Sequence, residues 1–412
     1  MQLCRPGARQ AGRGVIPVAE ALARLLAAPP ATPERETVRL AAALGRVLAR
    51  PVISAVTVPP TDNSAVDGYL VRHDELVDGE VSLPISQRIP AGRDPQPLDV
   101  GSAARIFTGA SVAPGGDTVL MQEDCREQDG RVTLPPRDRF TAGANIRSAG
   151  QDIRAGSEVL AAGSRLSARH LGLLASVGEA QLSVYRRLRV AILSTGDELV
   201  EPGEPVSGGK IYNSNRYLLA GLLAEHGFEC LDLGRVADTP EATLEALKCA
   251  SAGADLVLST GGVSVGEEDH VRGAVETLGA LDLWKVAIKP GKPFAFGRVG
   301  DTPFMGLPGN PSSVLVTFLV LVLPWLRVAQ GMTGDTALPR LSLPLGFAID
   351  RPGKREEYLR VRRVYHQGQQ RLEKHPNQSS GMLSSACWAD GLAVIPAGRT
   401  FSQGEVVDFI GF

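Results

Sequence analysis

The chain is poor in cysteine and aromatic residues, and neither sign of charge is in clear excess. Its five cysteines are Cys4, Cys125, Cys230, Cys249 and Cys387, with no C-x-x-C pair. An odd count without paired spacing argues against a disulfide framework or zinc knuckle and fits reduced thiols in the cytoplasm. The six histidines never fall at i, i+3 or i+4, so a histidine metal site built on one helix is not expected. Lysine and arginine total 43 against 45 aspartates and glutamates, a net charge of −2. That balance provides no general polyanion-binding surface, so nucleic acid is not an expected partner and any anion must be met by local groups.

A long apolar run is missing too. The most apolar stretch, Val314 to Leu326, holds 13 residues and ends near Pro324. A bilayer-spanning helix needs roughly 20, so a buried helix is expected and no membrane partner. The N-terminus has no uninterrupted apolar core after its basic residues, hence no export signal is expected. These features together predict a soluble cytoplasmic protein. At 412 residues the chain exceeds one compact core and suggests about two to four domains.

The texture changes along the chain. Residues 15–50 carry two helical patterns, one through Val18, Ala21, Leu22, Leu25 and Leu26, and a looser one through Val38, Leu40, Ala41, Leu44 and Leu48. From 51 to 145 short β-type runs alternate with Pro and Gly, and a helix is expected again within Leu166 to Ser176. This spacing predicts a β-rich domain (51–145) inserted into a helical linker domain (1–50 plus 146–187). Residues 188–332 alternate apolar strands (Leu188 to Leu193, Cys230 to Leu233, Leu256 to Leu258) with helices near Asn215 to His226, Pro240 to Ser251 and His270 to Leu278. That order implies a doubly wound α/β domain with a parallel sheet, whose ligands bind at the carboxyl ends of the strands. Residues 333–412 read as a C-terminal β-barrel or sandwich.

Chemistry should therefore reside in the loops after strands. STGDELV (Ser194 to Val200) places Asp197 and Glu198 beside a glycine. STGGVSVGEEDHV (Ser259 to Val271) offers Gly261, Gly262 and Gly266 for close backbone approach to an anion. Its acidic residues Glu267, Glu268 and Asp269 could cap the next helix or hold Mg²⁺. The same loop reads equally as a glycine-rich turn with an acidic cap. In WKVAIKPGKPFAFG, Lys285, Lys289 and Lys292 flank a Pro-Gly turn within an apolar segment, where bare ammonium groups are costly without an anion. GLPGNPSS makes Asn310 a helix N-cap with Pro311 in the first turn, an arrangement that capping alone also explains. DNSAVDGY (Asp62 to Tyr69), RIFTGA (Arg105 to Ala110) and GANIRSAGQDI (Gly143 to Ile153) add acids and hydroxyls to the β-rich region. No Ser-His-Asp set, Walker loop or dinucleotide fingerprint is present.

Taken together with the C-terminal SSGMLSS, these motifs resemble, in order and over nearly the whole chain, the molybdopterin molybdenumtransferases (MoeA), which are related to the E domain of gephyrin. The resemblance implies an elongated homodimer of four-domain subunits with active sites at the dimer interface. It implies adenylylated molybdopterin and molybdate as substrates, Mg²⁺ as the assisting ion and AMP as product. By motif, Asp62 and Thr108 would act across the dimer cleft, Asp152 would be the acid at the domain junction, and Glu198 and Asp269 would handle metal or pyrophosphate. Gly261, Gly262, Ser264, Gly266, Lys285 and Asn310 would bind substrate. Lys289, Lys292, Pro293, Ser313 and Ser385, with Arg355 or Arg360, would form the molybdate pocket. Val66 stands where the family usually has Met. Gln151 stands where it has Glu, which puts a catalytic role at 151 in doubt. Molybdopterin adenylyltransferase and molybdoenzyme-maturation factors are the partners this implies. The alternatives are a molybdopterin adenylyltransferase, whose fold resembles residues 188–330 alone, and a non-catalytic cofactor-binding scaffold.

Overall fold

A computed structural model of the chain describes residues 15–27, 32–262 and 270–412. Its centre is a seven-stranded sheet in the order Val15–Ile16, Gly279–Val286, Pro293–Val299, Thr302–Leu307, Leu256–Thr260, Arg189–Thr195, Glu229–Val236. The central strands Leu256–Thr260 and Arg189–Thr195 are buried almost throughout because both faces are covered. On one face lie α1 (Val18–Leu26), α3 (Ser214–His226) and the long helical segment Pro311–Ala329. On the other lie α4 (Pro240–Gly253) and α5 (His270–Leu278). The sheet is not wholly parallel as expected. Pro293–Val299 runs antiparallel to both its neighbours. The turns on either side of it are short, whereas a parallel connection needs a crossover of a dozen or more residues.

Local chemistry sets the helix ends. Thr239 caps α4 through a hydrogen bond from the Ala242 amide, with Pro240 in the first turn. Gly227 ends α3 in the left-handed region at φ +87°. The segment Pro311–Ala329 is longer than the sequence suggested. It runs as α6 (Pro311–Thr317), a π-helical stretch (Phe318–Val322) and α7 (Leu323–Ala329). Pro324 does not stop it. The proline falls in the first turn of α7, where its missing N–H is tolerated, and the wide π turn precedes it. At 19 residues the segment is apolar enough to cross a membrane by length and composition, and it is almost wholly buried in protein.

Two expectations for residues 15–50 are corrected. Helix α1 forms, but Val18, Ala21 and Leu25 belong to the α/β core rather than to the linker domain. The second helix is absent: residues 35–39 form a strand paired antiparallel with Gln181–Tyr185, followed by one 3-10 turn. The β-branched pair Thr37 and Val38 suits a strand, and Leu44, counted in the helical period, is 55% exposed. With α2 (Ala168–Ser176), capped by Ser167, these strands enclose a small core around Leu48, Leu166, Leu174 and Val184. The inserted domain is a six-stranded sheet centred on Ala103–Ile106 and Val81–Ile89. The C-terminal domain contributes five strands to a six-stranded sheet, completed by Ile288–Lys289, and packs around Leu345, Leu359, Val361, Leu372 and Phe409, with α8 (Leu383–Trp388) facing the α/β domain.

Candidate active site

A cleft of about 320 Å³ opens at the carboxyl ends of Arg189–Thr195 and Leu256–Thr260. Thr195, Glu198, Asn213, Asn215, Thr260, Gly261, Asn310 and Gly381 are among its lining residues. The starts of α3 and α6 both face it, so two positive helix ends converge on one space. Gly196, at φ +142°, lets the chain turn so that the Glu198 carboxylate folds back over it, and a Cβ there would strike that carboxylate. Gly261 and Gly262 adopt φ +79° and +65°, the conformation that close backbone approach requires. Asn310 occupies the cap position of α6 as expected, but its side chain makes no capping bond and lines the cleft. Asn215 donates from Nδ2 to the Gly309 carbonyl at 2.7 Å, while its Oδ1 is buried without a partner. An orphaned hard oxygen on a cleft that a carboxylate, Glu198, also lines suits a divalent cation. Asn215 belongs to none of the sequence motifs, because it lies in the first turn of α3 rather than in a glycine-rich loop. Ser264, Gly266 and Asp269, with Glu267 and Glu268, lie outside the described residues.

The lysine turn forms a second locus, joined to the C-terminal domain. Ile288–Lys289 pairs parallel with Glu356–Glu357, and Arg355 donates to the Ile288 carbonyl at 3.1 Å. Lys289 Nζ lies 2.9 Å from Glu357 Oε1, so the anion it meets in the free chain is a carboxylate. Among the described residues neither Lys285 nor Lys292 has an ion-pair partner. Lys285 is exposed on its strand, in register with Pro293. The turn leans on α6: a Cβ at Gly291 would approach Thr317 Cγ2 to 2.6 Å and the Ser313 carbonyl to 3.7 Å.

Segment 379–385 links this locus to the cleft. Ser312 Oγ donates to the Met382 carbonyl at 3.0 Å. Arg360, only 1% exposed, donates from Nε to Ser385 Oγ and from Nη2 to the Ser379 carbonyl, both at 3.0 Å. Burial lowers its pKa, and no carboxylate pairs with it among the described residues. A buried, unpaired guanidinium leaves positive potential at this junction. Ser313 and Ser385 are also buried, so neither presents a free hydroxyl at the surface.

The β-rich domain gathers the remaining acids. Thr108 donates its amide (2.8 Å) and its hydroxyl (2.7 Å) to Asp67 Oδ1, and these bonds hold the Asp67 carboxyl below its ordinary pKa. Asp62 Oδ1 accepts from the Ala149 amide at 2.7 Å, and its carbonyl accepts from Val112. Asp152 is exposed, its amide bonded to the Val58 carbonyl at 3.1 Å. The three motifs thus make one continuous surface, and none of Asp62, Thr108 or Asp152 lines the cleft. Asp67 was present in the motif but only the fold shows what it holds.

An α/β domain with an oxyanion-suited cleft at its strand ends, flanked by a β-rich insert and a C-terminal β domain, defines a multidomain protein of the molybdopterin-binding type. Family models match along the chain: the MoeA N-terminal region (domain I and II) over residues 16–178, a probable molybdopterin binding domain over 191–328, and the MoeA C-terminal region (domain IV) over 342–412. The chain belongs to the molybdopterin molybdenumtransferase (MoeA) family. It is 39% identical to the molybdopterin molybdenumtransferase of Nostoc over 91% of this chain and 88% of that one. With the enzyme of the same name from Haemophilus influenzae it shares 37% identity over 94% and 96%. A crystal structure of the molybdopterin biosynthesis MoeA protein of Pyrococcus horikoshii superposes with a TM-score of 0.82 at 27% identity, covering 97% of this chain and 100% of that one.

Proposed function

We infer that this chain is a molybdopterin molybdenumtransferase of molybdenum cofactor biosynthesis, taking adenylylated molybdopterin and molybdate and releasing AMP. The observation that carries this reading is the pairing of two loci through segment 379–385. One is a cleft with convergent helix N-termini, Gly261, Glu198 and Asn215. The other is a basic turn at Lys289 and Lys292, next to the strand Ile288–Lys289 that pairs with the strand carrying buried Arg360. The Gly261 amide is spent on the Leu307 carbonyl at 3.1 Å, and the backbone amides at Gly262 and Asn310 suit a pyrophosphate. The lysines suit a tetrahedral dianion, held where the dithiolene of a substrate anchored in the cleft can reach it. Glu198 and the Asn215 carbonyl would hold Mg²⁺, with Asp269 as the acid the resemblance adds. That ion would supply charge neutralisation at the pyrophosphate as AMP leaves.

The assembly we propose is a homodimer. Asp62, Thr108 and Asp152 lie on the β-rich domain away from the cleft lining, and a partner subunit's cleft gives them a substrate to meet. Sedimentation at micromolar concentration tests this; a monomer that is fully active would overturn it. The activity test incubates pure protein with adenylylated molybdopterin and molybdate and follows AMP. Release of AMP dependent on molybdate is expected. ATP-dependent adenylylation of bare molybdopterin instead would overturn the reading.

A further inference from the structure

Where the linker domain meets the α/β domain, four arginines face one small recess. Arg46 and Arg165 come from the linker domain, Arg187 and Arg327 from the approach to the sheet and from α7, and His226 from the end of α3. We propose that this junction binds a small inorganic anion of chloride size, which ties the two domains together.

Charge makes the first argument. Among the described residues, Glu36 alone forms an ion pair with this group, on Arg46, and Asp335 is the acid that acts on Arg327. Arg165 and Arg327 repel each other and His226. Burial first and these two charges second lower His226 to about 4. Like charges gathered in a half-buried site are costly unless an anion sits among them.

The second argument is an unfilled hydrogen bond. Arg46 is 9% exposed; its Nη2 serves Glu36 and the Tyr185 carbonyl, while its Nε is buried with no partner. Arg165 Nη2 reaches the His226 carbonyl only at 3.3 Å, and Arg327 spends Nη1 on the Thr336 and Ala337 carbonyls at 3.0 Å. A guanidinium has five N–H groups, so several donors remain for a guest.

Size selects the guest. The centre of a water-sized sphere can occupy only about 10 Å³ of the recess, so it holds a single small guest. A halide fits that space; a tetrahedral oxyanion would have to push the arginines apart. None of the recess residues lines the cleft at the strand ends, so the ion would act on domain attachment and not as substrate.

The test has two independent arms. Crystals of the full chain grown with bromide in place of chloride, measured at the bromine absorption edge, should show an anomalous peak in the recess. In solution at constant ionic strength, replacing gluconate by chloride should raise the unfolding midpoint saturably by about 2 °C or more. Arg165→Gln should abolish that rise, and phosphate should not reproduce it. Absence of a bromide peak in the wild-type crystal would overturn the proposal whether or not the variant folds. So would a midpoint that follows ionic strength regardless of anion, and an effect of phosphate alone would overturn the size assignment.

Discussion

Asp67 Oδ1 takes two hydrogen bonds from one residue, the amide of Thr108 at 2.8 Å and its hydroxyl at 2.7 Å. The hydroxyl hydrogen is therefore committed to Asp67, and the Thr108 oxygen presents its lone pairs outward. Asp67 is thus a positioning residue for Thr108. Asp67→Ala should slow AMP release by up to on the order of a hundredfold through misplacement, with little change in the unfolding midpoint. Asp67→Asn keeps a carbonyl acceptor and should retain most of the rate. Because the two residues act as a unit, Asp67→Ala with Thr108→Val should be no slower than the worse single variant. Additive losses would mean that they act separately.

The lysine turn separates stability from binding. Lys289 and Glu357 are 50% and 21% exposed, a surface pair worth at most about 1 kcal/mol, so breaking it should barely move the unfolding midpoint. Lys292→Ala should change stability by less than about 0.5 kcal/mol. If the turn holds molybdate, Lys292→Ala should raise the molybdate requirement roughly tenfold to hundredfold, the equivalent of a lost charge-assisted hydrogen bond. Glu357→Gln frees Lys289 from its competitor and should lower the requirement. Cofactor yield against molybdate concentration reads both effects, and superimposed curves would place molybdate elsewhere.

His226 gives a pH signature. Its folded pKa lies near 4 against an ordinary 6.5, chiefly because it is buried and also because Arg327 and Arg165 face it. Below pH 6.5 the unfolded chain gains a proton that the folded chain refuses, so stability is full above 6.5 and declines as pH falls toward 4. His226→Gln should flatten that decline, with a difference smaller than one full proton's slope because the ring is partly solvated. Urea midpoints of the two proteins between pH 7.5 and 4.5 check it; parallel curves would mean His226 titrates normally.

Much of the architecture was legible in the residues, for identifiable reasons. Helices α3 and α4 follow from their caps and α5 from its apolar period, and the cleft loops follow from glycines that turns need. What was not legible depends on distant partners. The strand Arg35–Arg39 exists because Gln181–Tyr185 pairs with it, more than 140 positions away, and a loose apolar period hid it. Lys289 reads as an anion ligand until the fold brings Glu357 to it, 68 residues later. The orphaned Asn215 carbonyl has no sequence signal, because Asn at the start of a helix usually means a cap. Here the neighbour Asn213 fills that role through the Arg216 amide.

The Pro-Gly turn makes the most demanding prediction about shape. Gly291 sits at φ +112°, a region closed to most side chains, and a Cβ there would come within 2.6 Å of Thr317 Cγ2. Gly291→Ala therefore meets two obstacles, backbone strain and a clash with the buried wall of α6. Strain of this kind costs about 1–3 kcal/mol. Thr317→Ser removes the offending methyl but leaves the φ requirement, so the double variant should recover part of the lost stability and not all of it. The turn also sets the spacing of Lys289 and Lys292, so Gly291→Ala should raise the molybdate requirement even at temperatures where the protein stays folded. Calorimetric unfolding together with molybdate titration separates these effects. Full recovery of stability by Thr317→Ser would show that the clash alone matters. A molybdate requirement unchanged by Gly291→Ala would show that the lysines do not depend on the shape of this turn.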